Sequence, residues 1–149
     1  MDSWGSMVKT RSRARGWALQ ALYAWETRGE PEPLEAFLSQ FLSERRVARA
    51  AVDYIVELGE TVARHRAEID GVLQRSLHNW RLERLSVIDR NILRIGACEL
   101  LYIEDVPPLV SIQEAILLAE KFGTAQSPRF INGVLDALMR SAPAKGEAS

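Results

Sequence analysis

Apolar residues recur at three- and four-residue steps along almost the whole chain, the spacing of one helix face. Over 11–28 the stripe is Ala14, Ala18, Ala21, Leu22 and Trp25, and Gly29 and Pro31 end it. Pro33 sits where a helix start tolerates proline, and Leu34, Phe37, Leu38, Phe41 and Leu42 predict a short second helix. Two further segments are expected: 45–63, carrying Val47, Ala51, Tyr54, Ile55 and Leu58, and 64–78, carrying Ala67, Ile69, Val72, Leu73 and Leu77. Ser86 with Asp89 three residues on is a capping-box pattern, opening a helix with Val87, Ile88, Ile92, Leu93, Ile95, Leu100 and Leu101 inward. Pro107-Pro108 stops it. Ser111 with Glu114 repeats the capping pattern before Ile112, Ala115, Ile116 and Ala119, and Gly123 suits a C-terminal cap. Ser127-Pro128 reads as an N-cap followed by proline, before Ile131, Val134, Leu135 and Leu138. No segment alternates as a strand does. The expected fold is all-α: about seven helices with short loops, split into two sub-bundles at Pro107-Pro108.

At 149 residues the chain suits one domain. The expected division is a flexible extension over 1–8, a helical domain over 9–140 and a tail over 141–149. The single cysteine, Cys98, excludes an intramolecular disulfide and fits a reducing compartment. No apolar run approaches the roughly 18 residues of a membrane span, and Met1 to Thr10 lacks an apolar signal-peptide stretch. These features predict a cytoplasmic protein with no membrane partner. The net charge of −1 argues against a general nucleic-acid binder. Its distribution changes that picture, because Lys9, Arg11, Arg13 and Arg15 face only Asp2 within the first 25 residues. The cations are arginines except at Lys9, Lys121 and Lys145, which suits bidentate phosphate contacts.

Catalytic chemistry has little to stand on. The histidines are only His65 and His78, both far in sequence from Cys98, and structural zinc needs four closely spaced ligands. There is no phosphate-cradling glycine loop and no nucleophile elbow. No enzyme, metal or cofactor is expected. Two features rise above this background. The run from Lys9 to Arg15 alternates cations with small residues. Arg11 and Arg15 share a face while Arg13 points elsewhere, so the cations form a collar. It reads either as a phosphate clamp for RNA or as a solvated basic lead-in. The stretch from Phe122 to Gly133 places Arg129, Phe130 and Asn132 at a helix start, where an aromatic ring can stack a base and an amide can read its edge. Phe122 and Phe130 also suit a core.

Five motifs, in order, resemble the NusB family of bacterial transcription antitermination factors. They are Arg11-x-Arg13-Ala14-Arg15 leading to Ala18-Leu19-Gln20-Ala21-Leu22-Tyr23; Asp89-Arg90-x-Ile92-Leu93-Arg94-x-Gly96-x-x-Glu99-Leu100; Val106-Pro107-x-x-Val110-x-Ile112-x-Glu114-Ala115; Ala119-Glu120-Lys121-Phe122-Gly123; and Phe130-Ile131-Asn132-Gly133-Val134-Leu135-Asp136. The resemblance implies two packed helical sub-bundles. It implies binding of single-stranded boxA RNA from ribosomal RNA operons, jointly with the ribosomal protein NusE, in an RNA polymerase antitermination complex. The implied RNA contacts are Lys9, Arg11, Arg13, Arg15, Arg94, Phe122, Gln126, Ser127, Arg129, Phe130 and Asn132. Tyr23 and Asp89 match positions facing NusE. The family is often acidic at Gln126. Some of its members are homodimers that mask the RNA face, so a protein-binding or homodimeric scaffold without RNA activity is the alternative.

Overall fold

The computed structural model describes residues 3–142. It places them in six α-helices: α1 (Ser3–Thr27), α2 (Leu34–Ser43), α3 (Arg49–Ser76), α4 (Val87–Tyr102), α5 (Pro108–Phe122) and α6 (Ser127–Ser141), with a single 3-10 turn at Leu82–Arg84. No strand occurs among the described residues.

The segment expected as a flexible extension is helical from Ser3 onward. Gly5 is its only helix breaker, and each residue added to an existing helix gains a hydrogen bond. The expected tail falls almost wholly on 143–149, outside the described residues. α1 ends in a Schellman turn: Gly29 N–H donates to Glu26 O, and Glu30 N–H to Trp25 O. Gly29 supplies the left-handed conformation this needs, with φ 82°. Glu30 shares it at φ 53° and is held by Arg66 Nη1 at 2.7 Å.

The two helices expected over 45–63 and 64–78 are one element with a kink. His65 leaves helical geometry (φ −116°, ψ 21°), and its ring stacks on Tyr102 at 4.0 Å. The periodicity therefore locates the break, but a local distortion absorbs it. Ser86 caps α4 as expected, its hydroxyl accepting from Asp89 N–H at 3.1 Å. The second capping pattern is not used. α5 starts four residues earlier than that pattern implies, at Pro108 and not Ile112, so Ser111 lies within the helix, buried. Gly123 does end α5, for a reason of space. A Cβ there would meet Ser127 Oγ at 2.5 Å and Ala119 O at 2.9 Å. Ser127 does not cap α6; its hydroxyl accepts from Thr124 N–H at 2.9 Å and closes this corner.

Residues 91–100 of α4 are all buried, and α4 packs against α1, α3, α5 and α6. α4 and α5, on either side of Pro107-Pro108, pack on each other, so the halves are α1–α3 and α4–α6 instead of parting at those prolines, and they share one continuous core built around α4. At Gly96 the α4 backbone approaches Leu135 of α6 so closely that a Cβ would lie 2.6 Å from Leu135 Cδ1. Alanine normally stabilises a helix interior relative to glycine. Gly96→Ala should instead lower stability by about 1–3 kcal/mol through overpacking, read as a lower denaturation midpoint at unchanged m-value.

Candidate nucleic-acid interface

The arginine-rich turn of α1 divides its cations between two faces. Arg11 and Arg15, four residues apart, turn inward. Arg15 is buried, with Nε on Glu99 Oε2 at 2.6 Å and Nη1 on Glu114 Oε1 at 2.7 Å. The Tyr54 hydroxyl also donates to Glu99, and the Ser12 hydroxyl to Glu114. Burial, and then the charge and hydrogen bond of Glu99, push the Tyr54 hydroxyl far above its ordinary range, so it stays protonated and donates. Arg11 lies over the Tyr54 ring at 4.4 Å and pairs with Asp105 at 2.9 Å. Lys9 and Arg13 turn outward, and both are exposed.

A second ion network occupies the other end of α1. Arg94 is buried, with Nη1 on Glu26 Oε1 at 2.6 Å and Nε on Asp70 Oδ1 at 2.8 Å. Arg90 joins Glu26 from the neighbouring turn and also donates to Leu85 O at 2.9 Å. Burial alone would raise the Glu26 pKa, but the hydrogen bonds from Arg90 and Arg94 outweigh it and hold the carboxyl below its ordinary value.

On the outer side, α1 and α5 form the walls of a groove of about 370 Å³. Arg13, Trp17 and Gln20 line one wall; Leu117, Lys121 and Phe122 line the other. The Lys121 ammonium lies 5.3 Å from the Phe122 ring centroid. Arg13 has no ion-pair partner among the described residues. Past the α5–α6 corner, Gln126, Arg129 and Asn132 are exposed, and half-buried Phe130 meets Trp80 edge-to-face at 6.4 Å.

The structure therefore brings Arg13, Arg15 and Phe122 to one groove, which Glu114 also lines, and sets Phe130 apart from it. Three expected contacts need correction on placement. Arg15 and Arg94 are buried and fully engaged with carboxylates, and Ser127 is buried at the corner, so none of them presents its polar group outward. Arg11 is half-buried and partnered. Of the positions read as facing a protein, Tyr23 is exposed. Asp89 is half-buried, its backbone held by Ser86 and its Oδ1 buried without a partner. Sequence reasoning passed over Trp17, Gln20, Lys121 and Trp80. The first two continue the Lys9–Arg13 face at helical spacing, and Lys121 adjoins Phe122. Trp80 stands in the polar run His78-Asn79-Trp80-Arg81, off any apolar stripe.

No group of three or more metal-ligating side chains occurs among the described residues, and burial, with the charges of Glu99 and Glu57, raises the Cys98 thiol out of the reactive range. No helix among those residues is long and apolar enough to cross a membrane. Fold and surface together define an all-helical protein whose outer α1–α5 groove sets cations beside aromatic rings. The chain belongs to the NusB family: the family's sequence profile matches residues 12–140. The transcription antitermination protein NusB of Myxococcus xanthus is 46% identical over 128 residues, covering 85% of this chain and 91% of that one. Its counterpart in Chloroherpeton thalassium is 38% identical over 141 residues, covering 94% of this chain and 66% of that longer protein. Among solved structures, T. maritima NusB superposes with a TM-score of 0.81 at 37% identity, covering 89% of this chain and 93% of that one. NusB from a complex of the antitermination factors NusB and NusE with double-stranded RNA gives 0.78 at 30% identity, covering 90% and 98%.

Removing Arg15 strands two buried carboxylates. Arg15→Met should cost about 3–5 kcal/mol of stability, whereas Arg13→Ala should stay within about 0.5 kcal/mol; urea unfolding of both variants checks the contrast. The lowered Glu26 pKa gives a second expectation. Its stabilisation is present above the unfolded value, near 4.5, and is lost as pH falls through the lower folded value. The acid limb of stability against pH should therefore be shallower in Glu26→Gln than in the wild type.

Proposed function

We propose that this protein is a transcription antitermination factor that binds boxA-type RNA of ribosomal RNA operons jointly with the ribosomal protein NusE, within an RNA polymerase antitermination complex. It acts by binding, not catalysis, in the cytoplasm. The observation that carries this reading is the groove in which an unpaired arginine, Arg13, and a lysine stacked on Phe122 face each other across about 370 Å³. Phosphates need outward cations, and an unpaired base needs an aromatic ring within reach beside them, here the half-buried Phe122.

The contact set we propose is Lys9, Arg13, Lys121 and Phe122 along the groove, continued by Gln126, Arg129, Phe130 and Asn132 beyond the corner. Arg15 and Arg94 act one step back, by fixing the helices that carry these groups. Tyr23, exposed on α1, and Asp89 at the start of α4 are the proposed NusE contacts. The family relationship and the relative solved with NusE and double-stranded RNA support this reading. A homodimeric scaffold is the second reading, favoured by the exposed apolar side chains of Leu109 and Leu117 on α5.

Affinity for a single-stranded boxA RNA should fall with salt at a slope of about −0.7 per phosphate engaged. Arg13→Ala should make that slope shallower, and NusE should tighten binding. Fluorescence anisotropy with single-stranded and duplex RNA measures both. An unchanged slope removes Arg13 from the interface. A dimer that excludes RNA in size-exclusion chromatography favours the scaffold.

A further inference from the structure

Trp80 and Gly133 lie outside the groove, and neither is buried in the core. Trp80 is 60% exposed, although its neighbours His78, Asn79 and Arg81 are all polar. The loop that carries it is nonetheless firmly held. The Gln74 side chain donates from Nε2 to Trp80 O at 2.9 Å and accepts Leu82 N–H on Oε1 at 2.9 Å. One amide thus clamps the loop from both sides, and the indole rests edge-to-face on Phe130.

Gly133 is the second observation. It lies inside α6, where glycine costs stability relative to alanine. Gly96 is needed because Leu135 leaves no room; at Gly133 a Cβ would meet nothing within 4 Å. It stands three residues after Phe130 and four after Arg129, on the same side of the helix. Arg129 is exposed, with no ion-pair partner among the described residues. A bare stretch of helix backbone beside a half-buried ring and a cation without an ion-pair partner lets a ligand come within contact distance.

We infer that Trp80, Phe130 and Gly133 form a shelf that takes one unpaired nucleobase, with Arg129 engaging the adjoining phosphate. This rests on the RNA-binding reading above and adds Trp80 and Gly133 to the contacts it places beyond the α5–α6 corner. Base stacking on an aromatic ring is sequence-tolerant and independent of salt, unlike the phosphate contacts of the groove. The surrounding side chains favour a base over an apolar protein surface, since they are polar or cationic and Arg81 is already paired with Glu83 at 3.1 Å.

The test uses the full chain and a fluorescein-labelled single-stranded boxA RNA, with abasic sites walked along it. Trp80→Ala should weaken binding roughly tenfold with an unchanged salt slope. One abasic position should weaken wild-type binding similarly and add nothing further in Trp80→Ala. Gly133→Ala should raise the melting temperature by about 2 °C while weakening RNA binding several-fold, opposite signs that a purely structural role does not give. Wild-type RNA binding with both variants unaffected overturns the shelf alone. Loss of NusE association in Trp80→Ala at unchanged RNA affinity assigns the indole to a protein contact and also overturns it. A wild-type protein that binds no RNA overturns the function and the shelf together.

Discussion

Arg15 is held between Glu99 of α4 and Glu114 of α5, and through Glu99 it is tied to Tyr54 of α3. Four helices meet at this one guanidinium. Desolvating an arginine and two carboxylates is expensive, so such a cluster survives only where the hydrogen-bond geometry is good and no member is missing. The planar fork of arginine meets that requirement at two carboxylates simultaneously; the point charge of a lysine does not. What the cluster provides is register. It fixes how far α1 has slid along α4 and α5, and so it fixes which residues of α1 stand opposite Lys121 and Phe122. The Glu26–Arg90–Arg94–Asp70 network sets the same registration at the other end of α1. Between them, α1 is pinned at two points along its length.

This arrangement explains why a chain with net charge −1 can present a basic, aromatic face. Charge neutralisation is concentrated inside, where carboxylates from α1, α3, α4 and α5 consume the inward arginines. Among the exposed cations, Lys9, Arg13 and Arg129 have no ion-pair partner among the described residues. One helix performs both tasks because its two faces are offset. Residues 11 and 15 serve the interior, while 9, 13, 17 and 20 line the outside.

Much of this could be read from the sequence. Helical periodicity gave the elements and, at residues 63–65, even the place where α3 bends. It could not say that the bend is a kink within one helix, because the stacking of His65 on Tyr102 comes from a distant segment. The capping pattern occurs twice, as Ser86 with Asp89 and as Ser111 with Glu114, and tertiary context separates them: Glu114 is drawn to Arg15, and Pro108 starts the helix sooner. The roles of Arg15 and Arg94 were hidden for the same reason. An arginine in a basic run looks solvated until its partners, 84 and 99 residues away for Arg15, are known. Trp80 was invisible because a lone aromatic in a polar loop carries no periodicity.

The corner at Gly123 and Ser127 bears on how this protein meets a ligand. With Ser127 wedged against the glycine and bonded to Thr124, the connection between α5 and α6 has no slack. The rings before and after it, Phe122 and Phe130, are therefore held at a fixed separation, like two teeth of a comb. An RNA strand bound across them as proposed must match that spacing itself. The conformational adjustment, and its entropy, then fall on the polynucleotide and not on the protein.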